Sequence, residues 1–107
     1  MNDTVTIGIV VPANHPALAG HFPGQPVVPA VVWLDAVLAE IRKRGDFVLR
    51  SIPAAKFLQP VLPEERVELC LRFAALDAAQ MRVSFQCSRA TTLVFEGSCI
   101  VSVDSRA

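Results

Sequence analysis

The sequence predicts an α+β domain in which a mainly antiparallel sheet buries one long helix. Three observations predict it. The stretch from Pro29 to about Arg44 has helical spacing and is apolar around most of its circumference. From Arg66 to the end, apolar and polar residues alternate with the period of strands that are buried on one face. Turn signals, not linkers, separate these segments. Residues 1–107 therefore read as a single domain. On pattern alone three layouts stay open: a curved sheet wrapped around the helix, a half-open barrel, or a flat α+β sandwich.

Thr4 to Val11 places Val5, Ile7, Ile9 and Val11 on one face, which predicts a first strand. The next segment holds Pro12, Pro16, Pro23, Pro26 and Pro29 with Gly20 and Gly24, and can be neither a regular helix nor a central strand. It also carries Leu18, Phe22, Val27 and Val28, so it predicts an ordered loop packed on the core. Pro29 opens the helix, and Gly45 closes it. Val31, Leu34, Val37, Leu38 and Ile41 form its stripe, which Val32, Trp33, Ala36 and Ala39 broaden. Phe47 to Ile52 and Ala55 to Leu58 predict two short strands. Arg66 to Phe73, Met81 to Cys87 and Leu93 to Val103 predict a meander with turns at Asp77–Ala79 and Arg89–Thr91 and a bulge at Gly97. Five or six strands result.

Composition narrows the function. Hydrophobic residues make up 52% and charged residues 19%, which argues for a packed domain with a further buried interface or an apolar tunnel. Ten basic residues balance ten acidic ones, so no bulk charge recommends a nucleic-acid partner. Arg42, Lys43 and Arg44 sit at the helix end, where cations suit the dipole. The three cysteines, Cys70, Cys87 and Cys99, have no metal spacing and predict buried reduced thiols of a cytoplasmic protein. Neither a leader pattern nor an apolar run of membrane-spanning length is present, and no nucleotide-binding glycine motif occurs.

Two polar residues stand out in this apolar setting. The helical neighbours of Asp35 are Val31, Val32, Leu38 and Ala39, so the reading expects its carboxyl to be shielded from water and to need a donor or a cavity. His21 lies in the preceding loop. A neutral imidazole can take an acidic carbon-bound proton near neutral pH, and a carboxyl in apolar surroundings can hold and deliver one. The first-turn N–H groups of a helix starting near Pro29 can hold a developing oxyanion. Base, acid and oxyanion donor together fit a β-elimination. His15 reads as structural, and Glu40 as solvated or paired with Arg44.

HPALAGHFPGQPVVPAVVWLDAV resembles the active-site region of the hot-dog-fold 3-hydroxyacyl-(acyl-carrier-protein) dehydratases, whose pattern is close to GHFPGxPxxPGxxxxEA. His21, Phe22, Pro23, Gly24, Pro26 and Pro29 match it, and Asp35 falls at the spacing of the family acid, as in the branch that also isomerises. KFLQPVLPEERVEL is similar to the family's strand, proline-bracketed turn and next strand. The resemblance implies a helix wrapped by the sheet and a homodimer, or a higher even oligomer, with sheets continuous across the interface. It further implies sites that join His21 of one chain to Asp35 of the other, and an acyl chain carried on the phosphopantetheine of an acyl carrier protein. Ala30, Gly24, Phe22, Val31 and Trp33 would form the oxyanion and substrate-binding surroundings; neither metal nor cofactor is implied. Three departures matter, and Asp35 in place of the more usual Glu is one of them. Ala30 replaces the family glycine, and the short N-terminus resembles compact dehydratases of aryl-polyene and similar pathways. The expected reaction is dehydration without isomerisation. Thioester hydrolysis on the same fold, or a non-catalytic protein that binds acyl carrier protein or stabilises a partner, are the alternatives.

Overall fold

The computed structural model describes residues 2–14 and 28–103. In chain order these form β1 (Asn2–Val10), α1 (Ala30–Arg42), β2 (Phe47–Phe57), β3 (Arg66–Ala75), β4 (Gln80–Arg89) and β5 (Thr92–Val103). The strands make one five-stranded sheet in the order β1-β3-β4-β5-β2, and every pairing is antiparallel. β1 and β2 are thus opposite edges of the sheet. The chain between them, which contains α1, must cross from one edge to the other, and it brings the helix over the inner face. This is the general hot-dog architecture. Its sheet lies along the helix and does not close into a barrel.

Alternation builds the core. Val67, Leu69, Leu71 and Phe73 of β3 face inward with Val83, Phe85 and Cys87 of β4 and Phe95, Cys99 and Val101 of β5. Val32, Trp33, Val37 and Ile41 of α1 complete it. These four recur at helical spacing, so one stripe of the helix meets the sheet. Arg66, Glu68 and Arg72 are exposed on the outer face of β3.

Several elements differ in detail from the sequence reading. Helix α1 ends at Arg42, with Lys43 as its C-cap and Arg44 N–H bonded to Ile41 C=O, two residues before the predicted end. The two short strands predicted around residue 53 are one strand. Pro53 lacks an N–H, and the pairing with β5 shifts register between Leu49 and Ser51 and again between Ser51 and Ala54, so the strand absorbs the proline through irregularity at an edge. Gly97 is not a bulge; it pairs with Phe85 and Ala55, and the β4–β5 shift falls at Cys87/Ser88. A Cβ at Gly97 would meet the Ala54 carbonyl and, at 2.7 Å, Cζ of Phe85. Close backbone approach explains this glycine. Cys87 and Cys99 are buried as expected, but Cys70 is only half-buried, because its position in β3 points outward.

Candidate active site

A cavity of about 220 Å³ opens at the N-terminal end of α1, lined by Val28, Ala30, Trp33, Phe57, Val61 and Phe95 among others. The helix start is fixed by its neighbours. Val28 N–H donates to the Val61 carbonyl at 2.9 Å, tying the helix entry to the loop between β2 and β3. Pro29, the N-cap, is extended at φ −64° and ψ 152° and has no N–H to give. Its carbonyl accepts from Val32 at 3.1 Å and Trp33 at 3.5 Å. Among the described residues no side chain caps this end, and no acid occupies the first turn. The N–H groups of Ala30 and Val31 belong to the first turn, where an α-helix offers them no partner of its own, and the positive end of the dipole lies behind them.

Aromatic rings form the floor. Phe57 stacks on Phe95 at a centroid distance of 5.3 Å, and Trp33 meets Phe95 at 5.7 Å and 40°. Phe85 supports Phe95 from β4 at 6.0 Å. Trp33 is only 2% exposed, so it is both core and cavity wall.

The outer wall of the cavity depends on a residue that the sequence marked only as part of a turn. Arg89 Nη1 donates to the Pro60 carbonyl at 3.0 Å and to Glu65 Oε1 at 3.1 Å. The same Glu65 oxygen accepts from Leu62 N–H at 2.7 Å. Arg89 thereby holds the β2–β3 loop whose Val61 anchors the helix entry. No local pattern signals this, since its partners lie more than twenty residues away along the chain. Phe57 and Phe95 also escaped the sequence reading. Alternation puts Phe95 inside, but only packing shows that it borders a cavity.

Of the predicted site residues, Ala30 and Trp33 line this cavity. Val31 is 61% exposed, and Asp35, four residues on, is exposed as well. The expectation that Asp35 is cut off from water is corrected. Its apolar neighbours Val31 and Ala39 are themselves exposed, because the sheet covers only one side of the helix in the single chain. Apolar neighbours bury a carboxylate only when something covers them. His21, Phe22 and Gly24, together with His15, lie outside the described residues. Glu40 pairs with Lys43 at 2.7 Å and with Arg44 at 3.6 Å, so two of the three cations at the helix end are engaged within the chain. No described helix is long and apolar enough to cross a membrane.

Comparison with known proteins places the chain. Residues 1–98 match the family model described as ApeI-like, ApeI dehydratase. The 3-hydroxyacyl-(acyl-carrier-protein) dehydratase FabZ of Anaeromyxobacter sp. is 31% identical over 110 residues, covering 91% of this chain and 66% of that protein. FabZ of Mannheimia succiniciproducens is 38% identical over 69 residues, covering 55% of this chain and 46% of the relative. The chain thus spans about half to two-thirds of the length of these curated relatives. Among solved structures, the (R)-hydratase from A. caviae involved in PHA biosynthesis superposes with a TM-score of 0.75 at 14% identity, covering 96% of both chains. A probable thioesterase from Bartonella henselae gives 0.73 at 15% identity, covering 92% of this chain and 88% of its own. At such identities these two share the fold and nothing more is drawn from them. The match of the family model over nearly the whole chain, on a hot-dog architecture, shows that this chain belongs to the ApeI-like dehydratase family.

Proposed function

We propose that this protein dehydrates a 3-hydroxyacyl thioester on acyl carrier protein to the trans-2-enoyl thioester. The observation that carries the proposal is the helix N-terminus. An apolar, aromatic-floored cavity lies beside the first turn of the helix, which carries the Ala30 and Val31 N–H groups and, further on, Asp35. In this reading the acyl chain enters the cavity and the thioester oxygen rests on the helix N–H donors. His21 removes the proton from the carbon α to the thioester. Asp35 gives its proton to the β-hydroxyl, which leaves as water while the Cα–Cβ double bond forms. The imidazolium proton then returns to the carboxylate through solvent, resetting the site.

The scheme needs Asp35 covered, because a closed site keeps bulk water out of the proton transfer. A homodimer supplies the cover, with His21 of one chain meeting Asp35 of its partner and shielding the Val31–Asp35 face. The methyl group of Ala30 and the aromatic floor favour a slender or flat acyl group, as in aryl-polyene-type pathways, over a bulky one.

The test is a mass-resolved product assay with short, long and aryl 3-hydroxyacyl carrier-protein thioesters. Loss of one water from a substrate class, abolished in His21→Ala and in Asp35→Asn, is the expected result. Free acid and free thiol would instead establish thioester hydrolysis. Tight carrier binding without turnover would make the protein a binding partner. Shared sites make a further demand: mixing the two inactive variants should restore roughly a quarter of wild-type activity, because half of the random dimers carry one intact site.

A further inference from the structure

A second cavity, larger than the one at the helix start, lies on the other face of the sheet. It is a hollow of about 490 Å³, within the size range of small-ligand sites, roughly 300–1,000 Å³. Small outward residues, Ala54, Ser84 and Ser98, lower its floor on β2, β4 and β5. Its two ends differ in charge. At one end Arg72 of β3 projects from the position paired with Ser84, and Arg82 of β4 stands at the rim with Nη1 3.5 Å from Ser98 Oγ. The two arginines are diagonal neighbours on adjacent strands, about 7–8 Å apart. Every cross-strand partner of this pair is neutral: Thr4, Ser84, Ala74 and Ile100. Among the described residues no carboxylate forms an ion pair with either guanidinium. At the other end Gln86, Glu96 and Lys56 stand in one cross-strand row, offering both donors and acceptors. From β3 to β2 the hollow spans three inter-strand spacings, about 14 Å.

We propose that this hollow binds a nucleoside phosphate. The phosphates lie between Arg72 and Arg82, with the Ser84 and Ser98 hydroxyls as further donors. The sugar and base reach the Gln86–Glu96–Lys56 row, where the Glu96 carboxylate accepts from the sugar hydroxyls. Charge complementarity selects this occupant. Two adjacent cations without a carboxylate repel each other until an oxyanion sits between them. A simple anion would use only one end of a hollow this long. The site is independent of the dehydration reading: Lys56 and Phe57 alternate on β2, so the hollow and the acyl cavity lie on opposite faces of the sheet.

Cys70 lines the hollow and reports on it. In the experiment, the intact protein is alkylated with iodoacetamide and modification of Cys70 is followed by peptide mass. Adenosine 5′-diphosphate should slow the reaction, while adenosine or inorganic phosphate at the same concentration should not. Arg72→Gln and Arg82→Gln, each confirmed as folded by its melting curve, should raise the protecting concentration on the order of tenfold or more. Lack of protection by the diphosphate overturns the proposal. Equal protection by inorganic phosphate reduces the hollow to a simple anion site and overturns it too. So does a Cys70 that is unreactive in the free protein and released in Arg72→Glu together with a fall in oligomer size, since a second copy of the chain would then be the occupant. Dehydration is assayed separately, so failure of either proposal leaves the other standing.

Discussion

The three cysteines show how position along a strand sets chemistry. Burial pushes the Cys87 thiol up to about 12 and Cys99 up to about 11, from 9.0 for an ordinary thiol. Neither should react with iodoacetamide in the folded protein, whereas Cys70, half-buried on the outer face, should react. The same shifts couple to stability. Above pH 9 the unfolded chain releases thiol protons that the folded chain still holds, so stability is complete below that pH and falls as pH rises from 9 towards 12. The chain contains no tyrosine, which keeps this window clear of phenol titration. Thermal unfolding followed between pH 8 and 12 should show the melting temperature falling, and Cys87→Ala should flatten the slope. Gly97 makes a second case. Adding a methyl group there drives it against the Ala54 carbonyl and the Phe85 ring, so Gly97→Ala should cost about 1–3 kcal/mol in denaturant unfolding.

At the scale of elements, the β2–β3 loop decides where the helix begins. Arg89 holds Pro60 and Glu65, and Val61 holds Val28 just before the first turn. Arg89 and Glu65 are each about one-third exposed, so solvent weakens their pairing, and Arg89→Ala should lower stability by only about 1 kcal/mol. In the dehydration proposed above, its effect on turnover should be larger in KM than in kcat, because the loop walls the cavity assigned there to the acyl chain and does not touch the reacting atoms. Steady-state kinetics beside a melting curve separates the two effects. An unchanged KM would mean that the loop keeps its place without Arg89.

For the whole molecule, the telling feature is what the single chain leaves uncovered. Val31 and Asp35 face outward from the helix, and every residue from Arg50 to Phe57 along the edge strand β2 is exposed, Ile52 among them. An exposed edge that carries apolar side chains is a template for pairing with another strand. We propose that in the dimer a second β2 occupies this edge. Ile52→Lys should then shift the protein to monomer in sedimentation velocity and remove dehydration with it, since each site draws on both chains. A dimer that persists unchanged would place the subunit interface elsewhere.

Periodicity alone revealed the long helix, the three-strand meander, and the Asp77 turn, whose carboxylate accepts from the Ala79 and Gln80 N–H groups. These are local matters, since side-chain alternation and turn chemistry act over a few residues. The GHFPG and Asp35 pattern was likewise readable, because the family's motif is contiguous in the chain. Tertiary structure decided the rest. It made one irregular β2 out of two predicted strands, turned Gly97 from a bulge into a close approach, and recruited Phe57, Phe95 and Arg89 to the cavity. It also put Asp35 in water. Burial belongs to the layer that covers a residue and not to its neighbours in sequence; here the sheet covers one face of the helix and leaves the other open.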